Sequence, residues 1–378
     1  MAKKYAITYA AILLAGAIAI VASGNLPRES EGLPRWQYLL TQFKVYLNYF
    51  QLIIFPQGFN IDHGIQFSHA FKAKETWGLI IIVLLLIAAA WLYKKNRLMS
   101  VGIFWFFATM LVESSIIPIR DPMFEHRLYL PMFGLSLFIV LGLYKILKQR
   151  LKTLVSVMIP LILILGFLTY DRNKDWKTNR TIWESSLKEN PKNRRALTYV
   201  GRAYFKEDWR KAMDYFNRSI KLSPQYYHGW LNRALLCYDN ELFEHVIISA
   251  DHALKYARKP HEYLYLLRGV SYEKTGEYNK ALQDLNYYIN SGEKYKLNEA
   301  YFGRAETYYH MGAYEASLED FKYAYMLNPA DKKLLLNIIH LFYKLEKPEM
   351  VKKYIELAKQ NGLEVKQGYI NYAEQAKQ

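Results

Sequence analysis

The stretch ALTYVGRAYFKEDWRKAMDYFNRSIKLSP, residues 196–224, contains two short amphipathic helical patterns separated by a turn. A small residue, Gly201, follows a large one, and an aromatic residue, Tyr204, comes three positions later. In the second pattern Ala212 and Phe216 are four residues apart, which places them on one face of a helix. The stretch therefore predicts a helical hairpin in which Gly201 lets the two helices approach closely.

The same pattern returns in residues 229–260, 263–289 and 300–329, at intervals of about 34 residues. The small residue of the first helix recurs as Gly201, Ala234, Gly269 and Ala305. Spacing and residue types are those of the tetratricopeptide repeat, whose units stack into a solenoid. A weaker fifth unit, Lys332 to about Gly362, is expected to cap the array, and residues 181–191 resemble the second helix of an incomplete first unit.

The first half of the chain has a different composition, with five apolar segments of the length needed to cross a membrane. These segments are Tyr5–Ser23, Trp77–Tyr93, Met99–Ile117, Leu128–Leu147 and Leu154–Tyr170. The first is read as an uncleaved span, with a cleavable signal peptide as the alternative. The fold class is therefore all-α, with residues 1–170 as a transmembrane domain and residues 171–378 as the solenoid.

The distribution of lysine and arginine predicts the orientation of this membrane domain. Basic clusters precede the first span and separate the second from the third and the fourth from the fifth, at residues 3–4, 94–97 and 145–152. If the spans alternate, all three clusters face the cytoplasm of a plasma or inner membrane, and the solenoid is extracytoplasmic. The net charge of +16 is interpreted as topogenic loops and a basic surface near anionic lipid, without a nucleic-acid partner.

A solenoid of this kind binds an extended peptide or a partner helix along the face formed by the first helices of its units. The groove positions predicted from the repeat register are Arg195, Arg202, Phe205, Leu231, Leu235, Tyr238, Leu266, Glu273, Phe302, Glu306 and Tyr309. Their mixed aromatic and charged character does not identify the ligand. The single cysteine, Cys237, follows an apolar helical pattern and is interpreted as a buried core thiol.

Two loops are predicted on the solenoid's side of the membrane. In the first, residues 38–55 suit an interfacial helix that ends at Pro56, and Asp62 follows. The second, residues 117–131, places Glu125 among several cations and prolines. Asp62 or Glu125 is a candidate general base.

The phosphate of a lipid carrier is the candidate ligand for the cations of the second loop, Arg120, His126 and Arg127. No cofactor motif or metal-ligand array is recognisable. His63 and His69, six residues apart in the first loop, are interpreted as uncoordinated.

Several of these stretches resemble one family, the transmembrane and tetratricopeptide-repeat O-mannosyltransferases and their bacterial counterparts. The matching stretches are YLLTQ (38–42), FPQGFNIDH (55–63), EHRLYLP (125–131) with Gly134, and the segment from Arg172 to Ala196 that joins the two halves. The resemblance implies transfer of a sugar from a polyprenyl-phosphate carrier to extracytoplasmic protein, with the repeats handling the acceptor.

The chain departs from that family before the YLLTQ helix, where members have more spans and an acidic catalytic motif. Here Glu29 and Glu31 are the nearest acidic pair. The resemblance is thus to the C-terminal half, and the chain is a truncated member, a half-protein working with a second polytopic membrane protein, or a tethered binding module. A scaffold accessory to protein glycosylation is the leading hypothesis; a minimal glycosyltransferase and a homo-oligomer built through the repeats are the alternatives.

Overall fold

In a computed structural model that describes residues 34–111, 114, 119, 121–259 and 261–375, every regular element is a helix. The chain divides into two compact units at the bond between Tyr199 and Val200. Short 3-10 turns at Glu125–Leu128 and Asp175–Lys177 interrupt the α-helices of the first unit. Those helices are α1 (Arg35–Ile54), α2 (Ala73–Lys95), α3 (Arg97–Met110), α4 (Tyr129–Ile146), α5 (Leu151–Asn173) and α6 (Asn179–Glu189).

Three predicted spans are present as helices long and apolar enough to cross a membrane: Ala73–Lys95, Glu125–Ile146 and Leu151–Asn173. A helix of 23 residues is about 34 Å long, which matches the hydrocarbon core. The first predicted span lies outside the described residues. α3 has 14 residues, and most of the positions through which the predicted span continues to Ile117 also lie outside them.

The membrane-length helices leave large apolar side chains uncovered, α5 most of all. Ile162, Leu163 and Phe167 of α5 are each more than half exposed. Contiguous apolar surface of this kind is unfavourable in water and suits contact with lipid.

α1, the predicted interfacial helix, packs against α2 and α3. The backbone of Phe43 lies so close to Gly78, near the start of α2, that no side chain would fit at position 78. Tyr46 and Phe50 contact the ring of Phe106 near the end of α3. The interfacial position of α1 stays a prediction.

α3 and α4 pack closely through a glycine contact. A Cβ atom at either Gly102 or Gly134 would collide with the other's carbonyl oxygen. Small residues at a helix contact are typical of membrane helices, where van der Waals packing replaces the hydrophobic effect as the driving force.

The second unit is an array of helical hairpins that begins within α7 (Arg194–Tyr204). The further helices are α8 (Trp209–Leu222), α9 (Tyr227–Asp239), α10 (Phe243–Tyr256), α11 (Glu262–Lys274), α12 (Tyr278–Asn290), α13 (Leu297–His310), α14 (Tyr314–Leu327), α15 (Leu334–Lys344), α16 (Pro348–Gln360) and α17 (Gln367–Gln375). The predicted repeat is confirmed.

The signature positions lie where the register predicts them. Ala234 and Ala305 are fully buried, and a Cβ atom at Gly201 would lie 2.5 Å from the ring of Phe216. Cys237 is also fully buried, and burial raises the pKa of its thiol to about 11 although Arg233 lowers it. The core thiol predicted from the sequence is present.

The array differs from the prediction at its two ends. The fifth unit, α15–α16, is followed by α17, whose Tyr369 and Tyr372 pack against Tyr343. At the other end the division at Tyr199 lies beyond the predicted boundary at residue 170, because α6 and the start of α7 are hydrogen-bonded to loops of the first unit.

A row of arginines connects successive hairpins in the array. Arg233, Arg268 and Arg304 each precede the small residue of their unit and donate hydrogen bonds to two second helices. Within their own unit, Arg233 donates to Ser249, Arg268 to Asp284 and Arg304 to Asp320. In the preceding unit, the same arginines donate to Asn217, Asp251 and Asn286, respectively. We call this row the arginine ladder.

The middle of the ladder is strongly ionic. Arg268 donates to both carboxylate oxygens of Asp284 at 2.6 and 2.8 Å, and to Asp251 at 2.5 Å. The side chain of Asp284 is 6% exposed, so the pair is largely shielded from water. Bidentate contacts of this kind are stronger than neutral hydrogen bonds and fix the angle between helices.

Candidate functional site

The two loops predicted to carry a site lie against each other in the first unit. The carboxylate of Glu125 accepts a hydrogen bond from the backbone N–H of Asn60. Nε2 of His63 lies 3.7 Å from Oε1 of Glu125. A minimal glycosyltransferase would need these two loops side by side, and they are in contact. We call this region the loop junction.

Asn60 fixes the loop junction to α6. Its side-chain amide donates to the carbonyl of Ser186 at 3.2 Å, and its oxygen accepts from the Ser186 hydroxyl at 2.6 Å. The same oxygen accepts from the backbone N–H of Asp62 at 3.0 Å. Asn60 is 2% exposed, so its polar groups depend on these partners and hold the loop in one conformation.

Asp62 is directed toward a cation and is not free in solvent. Oδ1 accepts from the backbone N–H of Gly64 at 2.9 Å, and Oδ2 lies 3.9 Å from Nη1 of Arg195. Its side chain is 15% exposed. Asn193 donates to the Asp62 carbonyl at 2.8 Å, which ties this loop to the start of α7.

Arg195, a predicted groove residue, is instead paired within the first unit. Its Nη1 lies 2.9 Å from both carboxylate oxygens of Asp121. Burial works against its charge, but the hydrogen bond and charge of Asp121 outweigh burial and raise the pKa of Arg195. The stacked rings of Trp183 and Tyr199 lie near the guanidinium and help to hold it in place.

Arg172 approaches Glu125, with 3.7 Å between Nη2 and Oε2. It also donates to Asp175 at 2.8 Å and to Ser185 at 3.1 Å. Its Nε and Nη2 atoms, like Nε2 of His63, are buried without a hydrogen bond. The sequence indicated Arg172 only as part of the segment that joins the two halves. Its contact with Glu125 was not predicted, because the two residues are far apart in sequence.

The residues predicted to bind a lipid phosphate lie beside Phe124. Arg127 donates to the carbonyl of Pro122 at 3.2 Å and lies over the ring of Phe124. The ring of His126 stacks on the same phenylalanine, with 5.2 Å between centroids. Arg120 lies outside the described residues. His126 and Arg127 are thus held beside one aromatic ring, and their binding of a lipid phosphate stays a prediction.

Most predicted groove residues of the second unit keep part of their surface open. Those with partial or full exposure are Arg202, Phe205, Leu231, Leu235, Tyr238, Phe302, Glu306 and Tyr309. Leu266 differs from the prediction, since it is fully buried in the core beside Leu285 and Tyr288. Glu273 is also buried, with 3% of its side chain exposed.

The groove positions also carry polar contacts. Burial raises the pKa of Tyr238 to about 12, and nearby Glu299 adds to the shift. Further along, the Tyr309 hydroxyl lies 2.8 Å from Nε2 of His340. Aromatic rings with polar ends on an open face are well suited to contacts with a peptide.

Comparison with known proteins agrees with the repeat. The tetratricopeptide repeat family model matches residues 195–226. Among curated proteins, the protein O-mannosyl-transferases TMTC3 of Mus musculus and Homo sapiens are 26% and 25% identical to the chain over 212 residues. The match includes 55% of this chain and 22% of each relative, so the chain spans about a fifth of their length. The resemblance inferred from the sequence is confirmed.

Solved structures similar to the chain include YrrB and PilW. YrrB, described as a TPR protein with an unusual peptide-binding site, is 14% identical with a TM-score of 0.42, and the match covers 52% of this chain and 97% of that one. PilW, a type IV pilus biogenesis factor, is 20% identical with a TM-score of 0.42, and the match covers 51% and 89% of the two chains.

Proposed function

We propose that this protein is a membrane-anchored scaffold whose tetratricopeptide array binds an extended segment of an extracytoplasmic protein. The observation that carries the proposal is the row of partly exposed side chains at groove positions, with Leu231, Leu235 and Tyr238 on α9 and Phe302 and Tyr309 on α13. Apolar and aromatic side chains that the array leaves open are the usual contacts for a bound segment.

Anchoring is supported by the exposed apolar surfaces of α2, α4 and α5. The positive clusters put the N-terminus in the cytoplasm and the array outside it, in a plasma or inner membrane. Contact with membrane lipids follows from the same surfaces.

A role accessory to glycosylation of surface or secreted proteins is supported by the similarity to protein O-mannosyl-transferases. In this role the array would hold the acceptor protein, and a second polytopic membrane protein would complete the transferase. No resident cofactor is needed for such a scaffold.

Site-specific photo-crosslinking in native membranes tests the scaffold. A benzophenone amino acid at Tyr238 is expected to form adducts with a distinct protein, since this ring lies at a groove position. Tyr287, 41% exposed on the second helix α12, is the matched control position and should not give those adducts. Adducts formed only with another copy of the chain, or equally from both positions, would refute the proposal.

The minimal glycosyltransferase is the second candidate, favoured by the adjacency of Glu125 and the Asp62 loop. Glu125→Gln tests it, because the amide oxygen can still accept the Asn60 N–H while the ionisable group is lost. A catalytic base predicts loss of sugar transfer from a polyprenyl-phosphate donor in a variant that still folds. Transfer at the unaltered rate would exclude Glu125 as the base, and Asp62→Asn is the parallel test for Asp62.

A further inference from the structure

We propose that Glu273, Glu306 and His310 bind a single divalent metal ion of the Zn²⁺ type on the array. Glu273 lies in the last turn of the first helix of the third unit, and Glu306 and His310 belong to the first helix of the fourth. One ligand atom from each residue lies within 4.8 Å of the other two. Atoms this close can converge on one ion with small side-chain adjustments.

Glu273 supplies the strongest reason to expect a cation. Its side chain is 3% exposed, and Oε2 accepts no hydrogen bond. The cationic groups near it are Nζ of Lys274 at 3.1 Å from Oε2 and Nε2 of His310 at 3.8 Å from Oε1. Lys274 is 40% exposed on a flexible side chain and can turn to solvent, whereas the buried carboxylate cannot. A buried carboxylate needs a fixed partner, and a metal ion provides one.

Glu306 adds a second carboxylate facing the first. Their ligand oxygens lie within 4.8 Å of each other, so the two negative charges repel. A divalent cation between the two carboxylates would remove this repulsion. The ring of Tyr278 stacks on His310 with an interplanar angle of 12°, which holds the imidazole in place.

The ligand types select the kind of ion. One imidazole nitrogen and two carboxylates suit Zn²⁺, which binds three protein ligands and leaves one position open. Ca²⁺ takes six to eight oxygen ligands, and Mg²⁺ requires a near-ideal octahedron, so both are expected to bind poorly. Because Glu306 occupies a predicted groove position that stays partly open, the open position of the ion would be directed to a bound segment, an inference that rests on the proposed scaffold function.

Titration of the tag-free full chain in mild detergent with ZnCl₂ tests the site. We expect saturable binding of one equivalent, and affinity at least about tenfold weaker in Glu306→Gln and His310→Gln, since losing a group that supports a metal costs 10–100-fold. Glu315→Gln and His245→Ala change exposed residues elsewhere in the array and should retain the affinity. Mg²⁺ and Ca²⁺ at the same concentration should not compete.

A second readout separates binding from folding. Bound Zn²⁺ should raise the melting temperature of the unaltered chain and should raise it less in the two ligand variants. If Glu306→Gln does not fold, His310→Gln decides, since that side chain is 42% exposed and its loss should leave the array intact. Absence of saturable binding, or equal affinity in ligand and control variants, would overturn the proposal and would leave the scaffold untouched.

Discussion

Replacing Arg268 by alanine should destabilise the middle of the array more than replacing an arginine that forms an exposed ion pair. The change removes the bidentate partner of Asp284, a carboxylate with 6% of its side chain exposed. Loss of one partner of a buried pair costs 3–5 kcal/mol, because the remaining charge stays buried. Arg268 itself is 18% exposed, so we take the lower end, about 3 kcal/mol.

Hydrogen exchange followed by mass spectrometry on the full chain in detergent measures this effect locally. About 3 kcal/mol corresponds to roughly a hundredfold increase in the opening constant. Repeats contact only their neighbours, so the increase should be concentrated in α10 to α13 and fade toward the ends.

Arg218→Ala is the matched control, since Arg218 forms a solvent-exposed pair with Asp214. Exposed pairs contribute at most about 1 kcal/mol, so exchange should change less than tenfold. The double variant Arg268→Ala, Asp284→Ala should be less destabilised than the sum of the two single variants, because neither charge then remains alone. Equal exchange in the Arg268 and Arg218 variants would refute the reasoning.

Three further outcomes are expected. Gly201→Ala should cost about 1–3 kcal/mol through overpacking, whereas Gly368→Ala, with nothing within 4 Å, should be neutral or stabilising in a melting experiment. In a Cys237→Ala background, a membrane-impermeant maleimide on intact cells should label a cysteine at Glu315 and not one at Arg150; the reverse pattern would invert the proposed topology. The folded protein raises the pKa of Cys237 to about 11, so the contribution of the protonated thiol to stability is complete below pH 9 and is lost as the pH rises toward 11. Over that interval the unaltered chain should become easier to unfold with denaturant, relative to Cys237→Ala.

The array was predictable because its signal is periodic. A small residue such as Gly201 or Ala305 recurs where two helices touch, and burial follows from that contact. The register was less informative about single surface positions, as Leu266 shows: within one repeat, a groove position and a core position differ by a small rotation of the helix.

The contacts of the loop junction and of the proposed metal ligands could not be predicted from sequence periodicity. Asn60 and Ser186 are 126 residues apart, and Arg172 approaches Glu125 only after both loops have folded. Glu273 and His310 occupy different positions of different repeats, so no regular spacing relates them. Contacts of this kind depend on tertiary geometry, and the residue types alone did not indicate them.

The arginine ladder also affects the order in which the units of the array unfold. Arg268 and Arg304 each also donate to the preceding unit, so separating these neighbours breaks a charge-assisted hydrogen bond, and the second to fourth units are expected to unfold together as one cooperative block. In the fifth unit the corresponding position is Ile338, fully buried among apolar side chains. That unit can detach without breaking a hydrogen bond of the arginine ladder, and the array should therefore fray from its C-terminal end.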